Sequence, residues 1–129
     1  MSYYFTKELD ASFDDAITRV QDVLKDKGFG VLTEIDIQAT LKKKIDVDFY
    51  KYTILGACNP KMAFEALQVE DKIGLMLPCN VIVQQKNKDS KVEVSAISPA
   101  DSMKAVNNDE LSKVASNVGS MLESAIKEL

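Results

Sequence analysis

The chain has 129 residues, 46% hydrophobic and 28% charged, with a formal charge of -4 at pH 7. Its length suits one domain spanning residues 1–129, and its composition excludes disorder and fibrous repeats. The 20 acidic and 16 basic residues are mixed along the chain and there is no histidine. That argues against nucleic acid as a partner, since a phosphate-backbone binder carries a basic stripe. It also excludes Ser-His-Asp and Cys-His catalysis within one chain.

The first residues show no basic segment followed by an apolar stretch, so secretion is not expected. Tyr3 to Glu8 is aromatic and partly alternating, which predicts a strand ended by Asp10-Ala11-Ser12. Ser12 can cap a helix, with Asp15 three residues on and Asp14 in the first turn. Phe13, Ala16, Ile17, Val20, Val23 and Leu24 then form one apolar stripe at steps of three and four. Gly28 is placed to end this helix in a left-handed conformation.

Phe29 to Ile35 predicts a second strand. Ile37, Leu41 and Ile45 lie four apart, which favours a short helix with Lys42-Lys43-Lys44 outward as a solvated face beside Asp46 and Asp48. A strand follows from Tyr50 to Cys58. Asn59-Pro60 starts a helix, the asparagine capping orphan amides and the proline losing no needed hydrogen bond at the first helical position. This helix should reach Val69. Ile73 to Leu77, and Cys79 to Gln85 beyond the bend at Pro78, read as strand-like chain, and Val92 to Ile97 pairs with the latter as a hairpin. After Pro99 a final helix opens near Asn108 or Asp109. Its stripe runs from Leu111 to Ile126, with Gly119 inside it to permit close approach to the sheet. No stretch approaches the ~20 apolar residues of a membrane helix. The expected location is therefore the cytoplasm, where thiols stay reduced.

This order predicts an α+β fold, with two long one-sided helices covering one face of a mainly antiparallel sheet. The residues also carry a family resemblance. Gly28-Phe29-Gly30-Val31-Leu32, Glu34-Ile35-Asp36-Ile37, Ile54-Leu55-Gly56-Ala57-Cys58-Asn59-Pro60, Ala63, Ala66-Leu67, and Gly74 with Leu77-Pro78-Cys79-Asn80-Val81 together resemble domain-of-unknown-function family 302. The resemblance implies a curved, TATA-binding-protein-like sheet in a β-α-β(4)-α arrangement, and a homodimer. It implies no established activity.

Two near-mirror tripeptides, Cys58-Asn59-Pro60 and Pro78-Cys79-Asn80, hold both cysteines. They could form a redox couple, a soft-metal site suited to copper(I), or a polar ligand pocket. Cys58 precedes a helix start, where the dipole can lower a thiol pKa. Buried, inert packing is the plainer reading of both thiols. Glu34 and Asp36, two apart on a strand, project from one face and are the nearest acid/base candidates; capping and solvation explain them as well. Gly28-Phe29-Gly30 is too short for a phosphate loop and precedes a strand. Tyr3, Tyr4, Phe5, Phe49, Tyr50 and Tyr52 could line an apolar pocket, with core packing as the default.

The leading expectation is a non-enzymatic small-molecule-binding or sensing domain, with Cys58, Asn59, Cys79, Asn80, Glu34 and Asp36 as candidate ligand contacts and no cofactor specified. The alternatives are a thiol-dependent redox or soft-metal-handling protein, and a dimerisation module without a ligand.

Overall fold

The computed structural model describes residues 2–129. Five strands form one sheet: β1 (Tyr4–Leu9), β2 (Gly30–Asp36), β3 (Lys51–Cys58), β4 (Cys79–Gln85) and β5 (Val92–Ile97). Their order across the sheet is β1-β5-β4-β3-β2, and every neighbouring pair is antiparallel. The helices are α1 (Phe13–Asp26), α2 (Ile37–Ile45), α3 (Pro60–Val69), α4 (Pro99–Ser102) and α5 (Asp109–Lys127). This is the α+β, β-α-β(4)-α arrangement expected from the sequence, with short helices inserted between strands.

Helix starts follow their capping residues. Ser12 Oγ accepts from the Asp15 amide at 3.1 Å, Asn59 Oδ1 from the Met62 amide at 3.2 Å, and Asn108 Oδ1 from the Leu111 amide at 3.1 Å. Each satisfies a donor that the first helical turn leaves without a partner. Gly28, just past α1, has φ +87°, a conformation that costs glycine little and other residues more.

Packing follows the two-residue period of the strands. Leu55, Val81, Val83, Val92, Val94 and Ala96 are all fully buried on one face, in a core shared with Ala16, Val20 and Leu24 of α1 and Val118, Leu122 and Ala125 of α5. Helix α5 contacts β1 and β5, while α1 contacts β2 and β4. Burying one such leucine or valine side chain stabilises by about 1.5–3 kcal/mol. A second cluster, Ala66, Ile73, Met103, Leu111 and Ala115, seats α3 and α4 against α5. The C-terminal end of α5 is fastened by Lys7 Nζ, which donates to the main-chain oxygens of Lys127 at 2.9 Å and Leu129 at 2.6 Å, and by a Lys27–Glu128 ion pair. The Lys42 ammonium pairs with Asp46 at 2.9 Å and Asp48 at 3.2 Å, as a solvated helix face would. No helix among the described residues is long and apolar enough to cross a membrane.

Two local expectations are corrected. Ile73 to Leu77 is not strand: Asp71–Met76 is a 3₁₀-helix, with the Ile73 amide bonded to the Glu70 carbonyl at 3.1 Å and the Leu77 amide to the Gly74 carbonyl at 3.3 Å. The segment buries Ile73 in the second cluster and leaves Leu75 88% exposed. That division cannot be made by a strand in which positions 73 and 75 share a face. Nor does Gly119 bring α5 close to the sheet. A Cβ built there meets only Pro99 Cδ, at 3.6 Å, which is ordinary contact.

Gly56 is the opposite case. A Cβ there would lie 2.2 Å from Thr33 Oγ1 and 2.7 Å from Pro78 Cγ. Thr33 pairs with Gly56 just after the register shift in β2, so the glycine lets β2 and the start of β4 close over β3. The two glycines therefore respond oppositely to alanine. Gly56→Ala should lower unfolding free energy by about 1–3 kcal/mol, the usual cost of overpacking. Gly119→Ala should raise it by up to about 1 kcal/mol, through helix propensity and a less free unfolded chain. Urea denaturation of the two variants beside the parent measures both.

Candidate functional site

The register decides where each candidate side chain goes. Cys79 is the cross-strand partner of Ala57, not of Cys58. The two thiols are therefore one position apart across the ladder rather than directly opposed, and Cys58 is still near enough for its charge to act on Cys79. Both are free, Cys79 buried and Cys58 half-buried. Together with Asn59 they line a crevice between the end of β3 and helices α3 and α5, whose other walls include Phe29, Met62, Leu77, Met103 and Val118. The crevice has a volume of about 30 Å³. A single water needs ~10–15 Å³ measured this way, so the space admits a water or two and no organic ligand. Asn59 spends its side-chain oxygen on the α3 cap.

Burial, and after it the charge of Cys58, pushes the Cys79 thiol up from 9.0 to about 11. This is the reverse of an activated nucleophile, which needs thiolate near neutral pH. Among the described residues no group of three or more His, Cys, Asp or Glu side chains is placed to hold a metal ion.

Glu34 and Asp36 do share a face, as their spacing requires, and it is the helix-covered one. Glu34 pairs with Leu55 and Asp36 with Thr53, at the free edge of the sheet. Both line a shallow hollow with Phe13, Asp14 and Ile17 of α1. Asp36 caps α2, its Oδ1 accepting from the Ala39 amide at 2.9 Å, and Glu34 Oε1 accepts from Gln21 Nε2 at 3.4 Å. Asn80 points the other way, onto the uncovered face. The six candidates thus fall in three separate places.

The uncovered face carries the larger site. Cross-strand pairing sets Thr6, Ser95, Ile82, Ile54 and Ile35 in one row, and Glu8, Glu93, Gln84 and Tyr52 in the next. A groove of about 470 Å³ runs over this surface, with Tyr3, Tyr4, Tyr50 and Tyr52 among its walls and Asn80, Ile82, Gln84, Glu93, Ser95 and Ile97 in its lining. These four are all the tyrosines in the chain, which contains no tryptophan. Tyr3 and Tyr4 meet edge to face at 5.1 Å between ring centres. Tyr50 stacks on Phe49 at 4.0 Å and stands 6.2 Å from Tyr52. The Tyr3 carbonyl accepts from the Ser98 amide at 2.7 Å, which fixes one wall. Burial, and then the neighbouring Tyr50 and Tyr3, push the Tyr52 phenol above 10.0, so it stays a neutral donor at ordinary pH.

The floor is polar and ordered. Thr6 Oγ1 and Ser95 Oγ lie 2.9 Å apart, Thr6 Oγ1 donates to the Val94 carbonyl at 3.2 Å, and Gln84 Nε2 donates to Glu93 Oε1 at 3.0 Å. A concave site with aromatic walls and a few fixed polar groups is the usual form of a small-molecule pocket, and ~300–1,000 Å³ is its usual size. Of the aromatics named from sequence, Phe5 packs instead against the core.

Comparison with known proteins agrees with the resemblance read from the motifs. The family model for "Domain of unknown function DUF302" matches residues 5–129. The crystal structure of an uncharacterized conserved protein, DUF302, from Bacillus stearothermophilus superposes with a TM-score of 0.90 at 24% identity, covering 98% of each chain. At that identity the likeness concerns the fold. A search of the curated proteins finds no match.

The Cys79 assignment is open to a linkage test. A thiol whose pKa is higher folded than unfolded stabilises the fold fully below the unfolded value, and this contribution disappears as pH rises through the folded one. Between about pH 9 and pH 11 wild-type unfolding free energy should therefore fall by roughly 2 kcal/mol more than that of Cys79→Ala. Parallel slopes in urea titrations of the two proteins would show that Cys79 is not buried as described.

Proposed function

The chain belongs to the DUF302 family, and from its own geometry we propose that it is a non-enzymatic small-molecule-binding domain whose ligand lies in the tyrosine-lined groove. One observation carries this reading: all four tyrosines, from two distant segments of sequence, converge on one groove of about 470 Å³ on the uncovered sheet face. Core packing does not account for Tyr3 and Tyr4, which are 63% and 41% exposed. Asn80 remains a candidate contact. Cys58, Asn59 and Cys79 support the site from a distance, by holding β3 and α3 together. A reducing, cytoplasmic setting is consistent with two free thiols.

A second reading has its own observation. Ile35 is 44% exposed and stands at the end of the Thr6–Ser95–Ile82–Ile54 row, so a second copy laid over the uncovered face would bury apolar surface in a homodimer. The thiol-dependent alternative has less behind it, because Cys79 is buried with a raised pKa.

With no tryptophan present, intrinsic emission comes from the groove tyrosines alone, so one signal tests both readings. A compound library should contain members that change this emission and raise the melting temperature of the wild type. A ligand at a hundred times its Kd stabilises by about 2.7 kcal/mol. The same compounds should no longer raise the melting temperature of Gln84→Trp, which fills the groove from its floor. Hits that act equally on both proteins would remove the ligand from this face. Acrylamide quenching that weakens as protein concentration rises, with a dimer in sedimentation, would assign the face to a second copy.

A further inference from the structure

The charges on the uncovered face are not balanced. Glu93 is the one charged residue lining the groove, and no lysine or arginine lines it among the described residues. Glu93 is half-buried, and its cross-strand partner on the same face is Glu8. Like charges directly opposite one another on a sheet are destabilising. Neither carboxylate forms an ion pair among the described residues. Lys86 and Lys91 follow in the β4–β5 turn and lie outside the groove lining, within ion-pair reach of neither glutamate. Glu93 does have one hydrogen bond, from Gln84 Nε2 to its Oε1 at 3.0 Å. This holds the carboxylate in place and leaves its second oxygen for another donor.

Tyr52 stands beside Gln84 in the same cross-strand row, and Tyr50 lies 6.2 Å from Tyr52. Aromatic faces carry the negative part of the ring quadrupole and attract cations, most of all where water is partly excluded. A fixed carboxylate that shares one groove with four tyrosine rings suits a cation.

We infer that the groove takes a small organic ammonium ion, a primary amine or quaternary ammonium compound, with its charge at Glu93 and its carbon skeleton against the tyrosines. This rests on the ligand-binding reading and adds the class of ligand. The cation supplies the charge that Glu8 and Glu93 lack, and the groove volume suits a free compound of modest size. No covalent step is involved.

The test uses two matched pairs that differ in charge and little in shape: choline with 3,3-dimethylbutan-1-ol, and 2-phenylethylamine with 2-phenylethanol. Tyrosine emission and calorimetry on the wild type should show at least one ammonium compound binding about tenfold or more tightly than its neutral partner. Glu93→Gln should lose that difference. Its unfolding midpoint should stay equal to the wild type or rise, because the repulsion with Glu8 is relieved. Tyr52→Phe should bind as the wild type does, since the ring is kept, and Tyr52→Ala should bind more weakly. Equal binding of both members of each pair would overturn the cationic assignment while leaving a ligand groove in place. Undiminished selectivity in Glu93→Gln, or no binding by either ammonium compound, would overturn it as well.

Discussion

Val81 and Val83 leave β4 toward the helices, Ile82 and Gln84 leave it toward solvent, and a two-residue period allows no third arrangement. The two long helices, α1 and α5, cover one side of this division. A slip of one residue of β5 against β4 would carry Glu93 and Ser95 toward the core and expose Val92 and Val94, so the register is held by the whole apolar face at once. The groove is thus a by-product of the core. Its floor residues are placed by the valines on the other face of the same strands.

The two ends of the sheet show how the same strands give a closed site and an open one. Near Gly56, the absent Cβ lets Thr33 and Pro78 lie against β3, and α3 follows at once from its Asn59 cap. On the helix-covered side of this end a crevice of about 30 Å³ remains. Among the described residues no helix lines the groove on the opposite face, where aromatic side chains from β1 and β3 rise on either side of β4 and β5. Concavity there comes from side-chain size, large at the walls and small at Ser95 on the floor.

Much of the fold was legible because its signals are local. Ser12, Asn59-Pro60 and Asn108 start helices at the expected places, and the hairpin between Gln85 and Val92 follows from two apolar runs with a polar turn between them. Ile73 to Leu77 misled because Ile, Leu, Met and Leu around a glycine carry no polar contrast from which to read a period. The candidate site was less legible. The mirrored tripeptides leave open whether Cys58 comes near Cys79; the pairing of Ala57 with Cys79 brings both thiols to one crevice, and register is a long-range property. The spacing of Glu34 and Asp36 shows a shared face and cannot say which one. The tyrosines were visible as a possible pocket, but their convergence needs the strand order, in which β1 and β3 are separated by β5 and β4.

That strand order also governs when the molecule becomes complete. Tyr4 pairs with Ile97 and Leu9 with Val92, so the first of these five strands in chain order is among the last to find its neighbour. Until β5 has emerged, Tyr3 and Tyr4 hang from an unpaired segment, and Glu8 has no Glu93 across from it. A nascent or truncated chain ending before Val92 can build α1, α3 and the β2–β3–β4 ladder, but it has only half of the groove and leaves the β4 edge bare. The groove is in this sense a proofreading mark on the fold, present only when β1 has paired with β5.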